Sequence, residues 1–197
     1  LSGGTINGGS MTLSGGAQFT TTASGGTLDN VDINGDVNFN TVFASANVAG
    51  ATRFDAARLA ADQASINFTN GFTLQDEVSA EGAAAGTRSI RSNGAGTSTV
   101  GATGVIRLAS GSGGNLSIDN LFGPFTLVSN GLVSAEAAGR TLTFSNTGFT
   151  NNGTVQVTNG TMSINSTNWS SGAGMFTLTG GTLNLGGGWN TTGGHGT

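Results

Sequence analysis

The sequence predicts an all-β fold, a right-handed parallel β-helix of about nine coils with roughly 17–24 residues in each. A Gly-Thr-Φ-x-Φ phrase, with Φ an apolar residue, recurs along the chain. It reads Gly153-Thr154-Val155-Gln156-Val157, Gly160-Thr161-Met162-Ser163-Ile164 and Gly181-Thr182-Leu183-Asn184-Leu185, with looser copies at Gly4-Thr5-Ile6, Gly9-Ser10-Met11 and Gly26-Thr27-Leu28. Apolar residues alternate with polar ones in short runs, as in Val31-x-Ile33, Val37-x-Phe39, Leu142-x-Phe144 and Phe176-x-Leu178. Each such unit is a turn followed by a very short strand with one buried face. Repeated units of this kind bury their apolar faces only by stacking.

Cutting at the turn glycines gives segments 5–26, 27–50, 51–71, 97–114, 115–131, 132–153, 154–174 and 175–194, with 72–96 less regular. The whole of 1–197 reads as one solenoid domain. Stacked at the ~4.8 Å spacing of hydrogen-bonded strands, its coils form a rod on the order of 40 Å long. Met11, Leu13, Leu116, Ile118, Val155, Val157, Met162, Ile164, Leu183 and Leu185 are expected to stack in inward files, while Thr182, Asn184 and Gln156 face outward. Asparagines at bends, among them Asn130 and Asn152, suit left-handed backbone and can bond along a ladder.

Residues 51–96 depart from this grammar. Thr52 to Gln63 lacks glycine and is rich in alanine, and Phe54, Ala57, Leu59 and Ala61 can share much of a helical face. The stretch reads as a short helix or as a pair of strands with small inward alanines. Residues 77–96, with few large apolar side chains, read as a loop or a thin-cored coil.

Composition narrows the function classes. Only 8% of the residues are charged, against about 25% in an ordinary soluble domain. Glycine supplies 36 residues, and cysteine is absent. A Gly- and Ser-rich chain can be disordered, but disorder requires no alternation of the kind seen here. Six arginines, no lysine and a net charge of -4 provide no basic patch, which argues against nucleic acid. No apolar run approaches the ~20 residues of a membrane span. The chain begins at Leu1 without a basic, apolar leader, which implies a mature product or an excised segment.

The phrasing Gly25-Gly26-Thr27-Leu28-Asp29-Asn30-Val31-Asp32-Ile33-Asn34-Gly35-Asp36, and that of Phe149-Thr150-Asn151-Asn152-Gly153-Thr154-Val155-Gln156-Val157, resembles the repeats of large bacterial surface proteins. These are the autotransporter-passenger and filamentous-haemagglutinin-like β-helix proteins. The resemblance implies a right-handed parallel β-helix, secretion, and adhesive or stalk duties at the bacterial surface. No outer-membrane barrel segment accompanies it.

Candidate chemistry is sparse. Asn30-x-Asp32-x-Asn34-Gly35-Asp36 imitates the first half of a calcium loop, so Asp32, Asn34 and Asp36 are weak calcium candidates. The twelfth position of that loop is Thr41 rather than glutamate, and two strands around an Asn-Gly turn explain the run as well. Gly194-His195-Gly196 matches a tripeptide of β-helical polygalacturonases, but no paired aspartates accompany it. Asp76, Glu77 and Glu81, near Arg88 and Arg91, form the densest acidic group and read as an exposed loop with local ion pairs. Trp169 and Trp189, twenty residues apart, either offer aromatic planes to sugar rings or cap the core.

The function these residues imply is a non-enzymatic, extracellular structural or adhesive β-helix without a cofactor. It is expected either as a stalk segment of a larger protein or as a filament subunit. Unpaired strand edges at Thr5–Leu13 and Thr177–Leu185 point to end-to-end self-association or to continuation into further coils. A cell-surface glycan is the further partner considered. The alternative is a carbohydrate-binding or carbohydrate-cleaving β-helix; an ice-binding solenoid would require a regular Thr-x-Thr file that most coils lack.

Overall fold

The computed structural model describes residues 1–189, which form a parallel β-solenoid of about eight turns with no helix. Each turn supplies one short strand to each of three faces, and every pairing is parallel to the equivalent strand one turn away. Among the described residues the first face has nine strands, from Thr5–Asn7 to Thr182–Leu185. The third face has eight, from Phe19–Thr20 to Met175–Leu178. The second face is divided. Three strands run from Ser10–Thr12 to Arg53–Phe54, and five more run from Thr73–Leu74 to Asn168–Ser170.

Turn length is less uniform than the glycine spacing implies. Asn47 pairs with Thr27 and with Asn67, 20 residues away in each direction. Arg91 pairs with Asp119, 28 residues on. The segments 97–114 and 115–131, read as separate coils, belong to a continuous path. Gly96–Val100, Val105–Leu108 and Leu116–Asp119 are successive strands on three different faces. Along this path the first face gathers nine strands over about eight turns.

Alternation sets the core. Leu116, Ile118, Val155, Val157, Met162 and Ile164 are buried, while Gln156 and Ser163 lie on the outer side of the same strands. The terminal rungs differ. Met11, Leu13 and Leu183 are only half-buried, and Leu185 is 53% exposed. Leu185 continues the inward file of Ile164, as the alternation requires. Burial there depends on a covering rung, and among the described residues no strand pairs with the far edge of Thr182–Leu185.

The glycine of the repeated phrase has a packing reason. A Cβ on Gly153 would lie 2.2 Å from the Gly131 carbonyl oxygen, and one on Gly181 would lie 2.3 Å from that of Gly160. Corners stacked so closely leave no room for a side chain. On the outer face, Asn67 donates to Asn47 Oδ1 at 3.0 Å and Asn152 donates to Asn130 Oδ1 at 3.1 Å. The expected asparagine ladder thus forms at the bend of Asn130 and Asn152, while the Asn47–Asn67 bond lies within strands.

No helix forms between Thr52 and Gln63. The chain makes strands Arg53–Phe54 and Ala56–Leu59, with Phe54, Ala57 and Leu59 buried and Asp55 exposed at the bend between them. Neighbouring rungs explain the outcome: Ala57 sits between Val37 and Val78 in its file, so larger side chains above and below fill the space that alanine leaves. Tertiary pairing overrides alanine's helix preference. Beyond it, strands Glu77–Ala80 and Arg88–Ser92 bracket a loop over 81–87.

Candidate functional site

The described surface gathers polar and aromatic side chains in three places. The first is the aromatic end of the second face. Leu127, Phe149, Trp169 and Trp189 occupy equivalent positions in successive turns, so the two indoles extend an inward file. Trp169 is 4% exposed, donates its Nε1–H to the Gly186 carbonyl at 2.8 Å, and meets Phe176 edge-on at 6.4 Å. Trp189 stacks over it at 5.8 Å with rings tilted by 13°, and is 58% exposed. The twenty-residue spacing therefore places the rings one turn apart. Trp169 is packed in the core, and Trp189 alone presents indole surface to solvent. With Leu185, Gly186 and Gly187 the two rings line a recess of about 300 Å³.

The second place is a set of ion pairs running between turns. Arg58 donates from Nε to Asp36 at 2.5 Å and from Nη1 to Glu81 at 3.2 Å, which joins three successive turns of the third face. Arg107 lies 3.3 Å from Glu77 and 3.8 Å from Glu136, and Arg91 lies 3.2 Å from Asp119. Hydrogen bonding to Asp36, with attraction from Asp36 and Glu81, raises the Arg58 pKa against the opposing effect of burial. Asp76, Glu77 and Glu81 thus do not act together; each pairs with its own arginine, Arg53 and Arg58 of the preceding turn and Arg107 of the following one. Arg88 is not a surface partner for them. Its side chain is fully buried and donates to the backbone carbonyls of Ala60, Glu81 and Gly86 at 2.9–3.0 Å. Burial pushes its pKa down, the nearby Asp62 carboxylate opposes that, and Arg140 adds to it.

The third place is a polar recess of about 370 Å³ around Arg53, with Asp32, Asn34, Asp55 and Asp76 in its lining. Arg53 grips the Asp76 carboxylate with two nitrogens at 2.8–3.0 Å. Asp32 and Asn34 lie here on strand Asp32–Asn34, both exposed. Asp36 lies past the Gly35 bend, in a separate recess, and is paired with Arg58. The chain turns between two strands at Asn34-Gly35, so the three calcium candidates divide between two faces. Among the described residues no three His, Asp or Glu side chains converge as a metal ion would require. His195 lies outside the described residues.

Neither the Arg53–Asp76 grip nor the buried Arg88 was legible in the sequence. Arg53 and Asp76 meet between turns, 23 residues apart, and Arg88 reaches Ala60 across 28 residues; an isolated arginine carries no sign of its partner or its burial. No known family, curated protein or solved structure matches the chain.

Proposed function

We propose that this chain is a non-enzymatic structural or adhesive element outside a bacterial cell, working as a length of β-solenoid rod. The observation that carries the reading is the use of its polar groups. Arg53, Arg58, Arg91 and Arg107 pair with acids of other turns, and the rest of the outer surface is largely Thr, Ser, Asn and Gly. Charges arranged as ties between rungs support a role in holding a rod together. The rod serves as a stalk segment, continuous with further coils, or as a filament subunit stacked on copies of itself. Either arrangement covers the inward apolar side chains of the last described rungs, Leu178 and Leu185, and pairs the strand edge beside them.

Electron microscopy of the purified chain tests this reading. Rods, or filaments lengthening with concentration, are the expected result, and compact globules would oppose it. Thr182→Pro with Asn184→Pro removes amides that point to the preceding strand Thr161–Ile164 and so detaches the terminal rung on which a copy would stack. That variant should shorten any filaments while the N-terminal rungs stay folded.

The exposed face of Trp189 favours a second reading, recognition of a cell-surface glycan. A sugar ring laid on the indole would quench tryptophan fluorescence. Titration with bacterial and host oligosaccharides checks this; Trp189→Ala should abolish any response.

A further inference from the structure

The first and third faces pass without interruption through the turns that contain Arg53 and Thr73. Ser45–Ala49 pairs with Ser65–Phe68, and Ala56–Leu59 pairs with Glu77–Ala80. On the second face, strands Arg53–Phe54 and Thr73–Leu74 are not paired, and the sheet divides between them. The chain enters the second strand through a bend at Thr69-Asn70-Gly71-Phe72. Gly71 donates to the Thr97 carbonyl at 2.8 Å, and Asn70 Oδ1 accepts from the Thr97 amide at 3.0 Å. These bonds tie Asn70 and Gly71 to the following turn, while Thr69 at the start of the bend holds the Val48 carbonyl of the preceding turn through its amide and its hydroxyl, both at 3.0 Å.

Across the gap a side chain does what backbone does elsewhere. The Asp76 carboxylate accepts the Phe54 amide at 3.3 Å through Oδ2 and holds the Arg53 guanidinium through both oxygens. The Asp76 side chain is only 10% exposed, whereas that of Arg53 is half exposed. Its hydrogen bond to Asp76, then attraction from Asp76 and Asp32, raises the Arg53 pKa despite burial. Open recesses flank the grip. One is the polar recess described above; the other, about 410 Å³, is lined by Gly50, Ala51, Arg53, Gly71, Thr73 and Gln75.

We propose that the second face is a seam that opens between Arg53–Phe54 and Thr73–Leu74, and that the Asp76 carboxylate is the latch that holds it closed. The paired strands of the other two faces remain together and act as the pivot, so opening bends the rod at one defined place. An interrupted ladder offers less resistance to separation than a continuous one, because only side-chain bonds have to break. Arg53 restrains Asp76, and Asp32 and Asp55 are the other charged groups lining the recess.

Hydrogen exchange read by mass spectrometry tests the seam. In Asp76→Ala, amides at Phe54 and over 73–76 should exchange about tenfold faster, while those of 45–49, 65–68 and 77–80 keep their protection. Arg53→Met, which retains the Phe54–Asp76 bond, should give a smaller change at the same positions. Since the described chain has no cysteine, spin labels on Asn34→Cys and Thr99→Cys report the distance across the seam, which should broaden in Asp76→Ala. Unchanged exchange at Phe54, or an equal rise through all three faces in both variants, would overturn the proposal.

Discussion

Two stretches of one solenoid are held together by different means. All six arginines and all ten acids lie between Asp29 and Arg140, and no charged residue occurs from Thr141 to the last described rung. In the charged stretch turns lengthen to 28 residues, loops leave the rod, and ion pairs tie one rung to the next. In the uncharged stretch turns are short, with Ser163 and Asn184 equivalent 21 residues apart and joined at 3.3 Å. Cohesion there comes from stacked apolar files, aromatic contacts and neutral side-chain ladders. A regular turn stacks without help, because backbone ladders and aligned corners satisfy nearly everything. A turn with an insertion leaves polar backbone at its corners, and a long cationic side chain can reach it.

Arg88 shows this most clearly. It donates to carbonyls at both ends of the loop over 81–87 and to the Ala60 carbonyl of the preceding turn. Deleting its counterpart in the uncharged stretch, Trp169, should have the largest effect of the variants considered. Trp169→Ala removes a buried indole from the file and should cost about 3–5 kcal/mol, read from denaturant unfolding. Trp189→Ala, on the exposed side of the same stack, should cost much less. Comparable losses from the two would mean that the file is not inward.

Arg88→Met keeps the volume but removes the donor from three partly buried carbonyls, each a desolvation cost of about 1 kcal/mol. The expected result is a loss of about 3 kcal/mol, with proteolytic cleavage focused on residues 81–87. A neutral outcome would show that water satisfies those carbonyls and that the charge is not needed there.

Arg58→Met should be milder. Its two ion pairs are about one-third exposed, and such pairs contribute about 0–1 kcal/mol. Differential scanning calorimetry of this variant should therefore show a shift of a few degrees at most. The smallest effect belongs to Asp32→Asn combined with Asp36→Asn, scored by calcium addition. With Asp36 paired to Arg58 and separated from Asp32 by the strand bend, the melting temperature should not respond to millimolar calcium in either protein. A calcium-dependent rise lost in the variant would restore a metal role for these residues.

Regularity decided what the sequence could reveal. Gly153-Thr154-Val155, Gly160-Thr161-Met162 and Gly181-Thr182-Leu183 announce their strands because each lies in a short turn with a crowded glycine corner. Between Asn67 and Leu142 the same alternation persists, but insertions change the distance between equivalent faces, so boundaries drawn by glycine spacing slipped. Thr52 to Gln63 looked ambiguous because local propensity and tertiary pairing disagree there. The latter is set by Val37 and Val78, distant residues that a window on the stretch does not contain. Packing is the reading the sequence favours for the tryptophans, and Trp169 follows it; its neighbours Asn168 and Ser170 show that it alternates.

The most direct measurement is residue-resolved hydrogen exchange on the unmodified chain as sodium chloride is raised from low concentration to about 1 M, where the screening length falls to about 3 Å. If ion pairs hold the inserted turns and neutral contacts hold the rest, amides from Arg53 to Glu136 should lose protection with salt. Those from Thr154 to Ser170 should keep theirs or gain. Equal loss in both stretches, or loss confined to the uncharged one, would contradict the account.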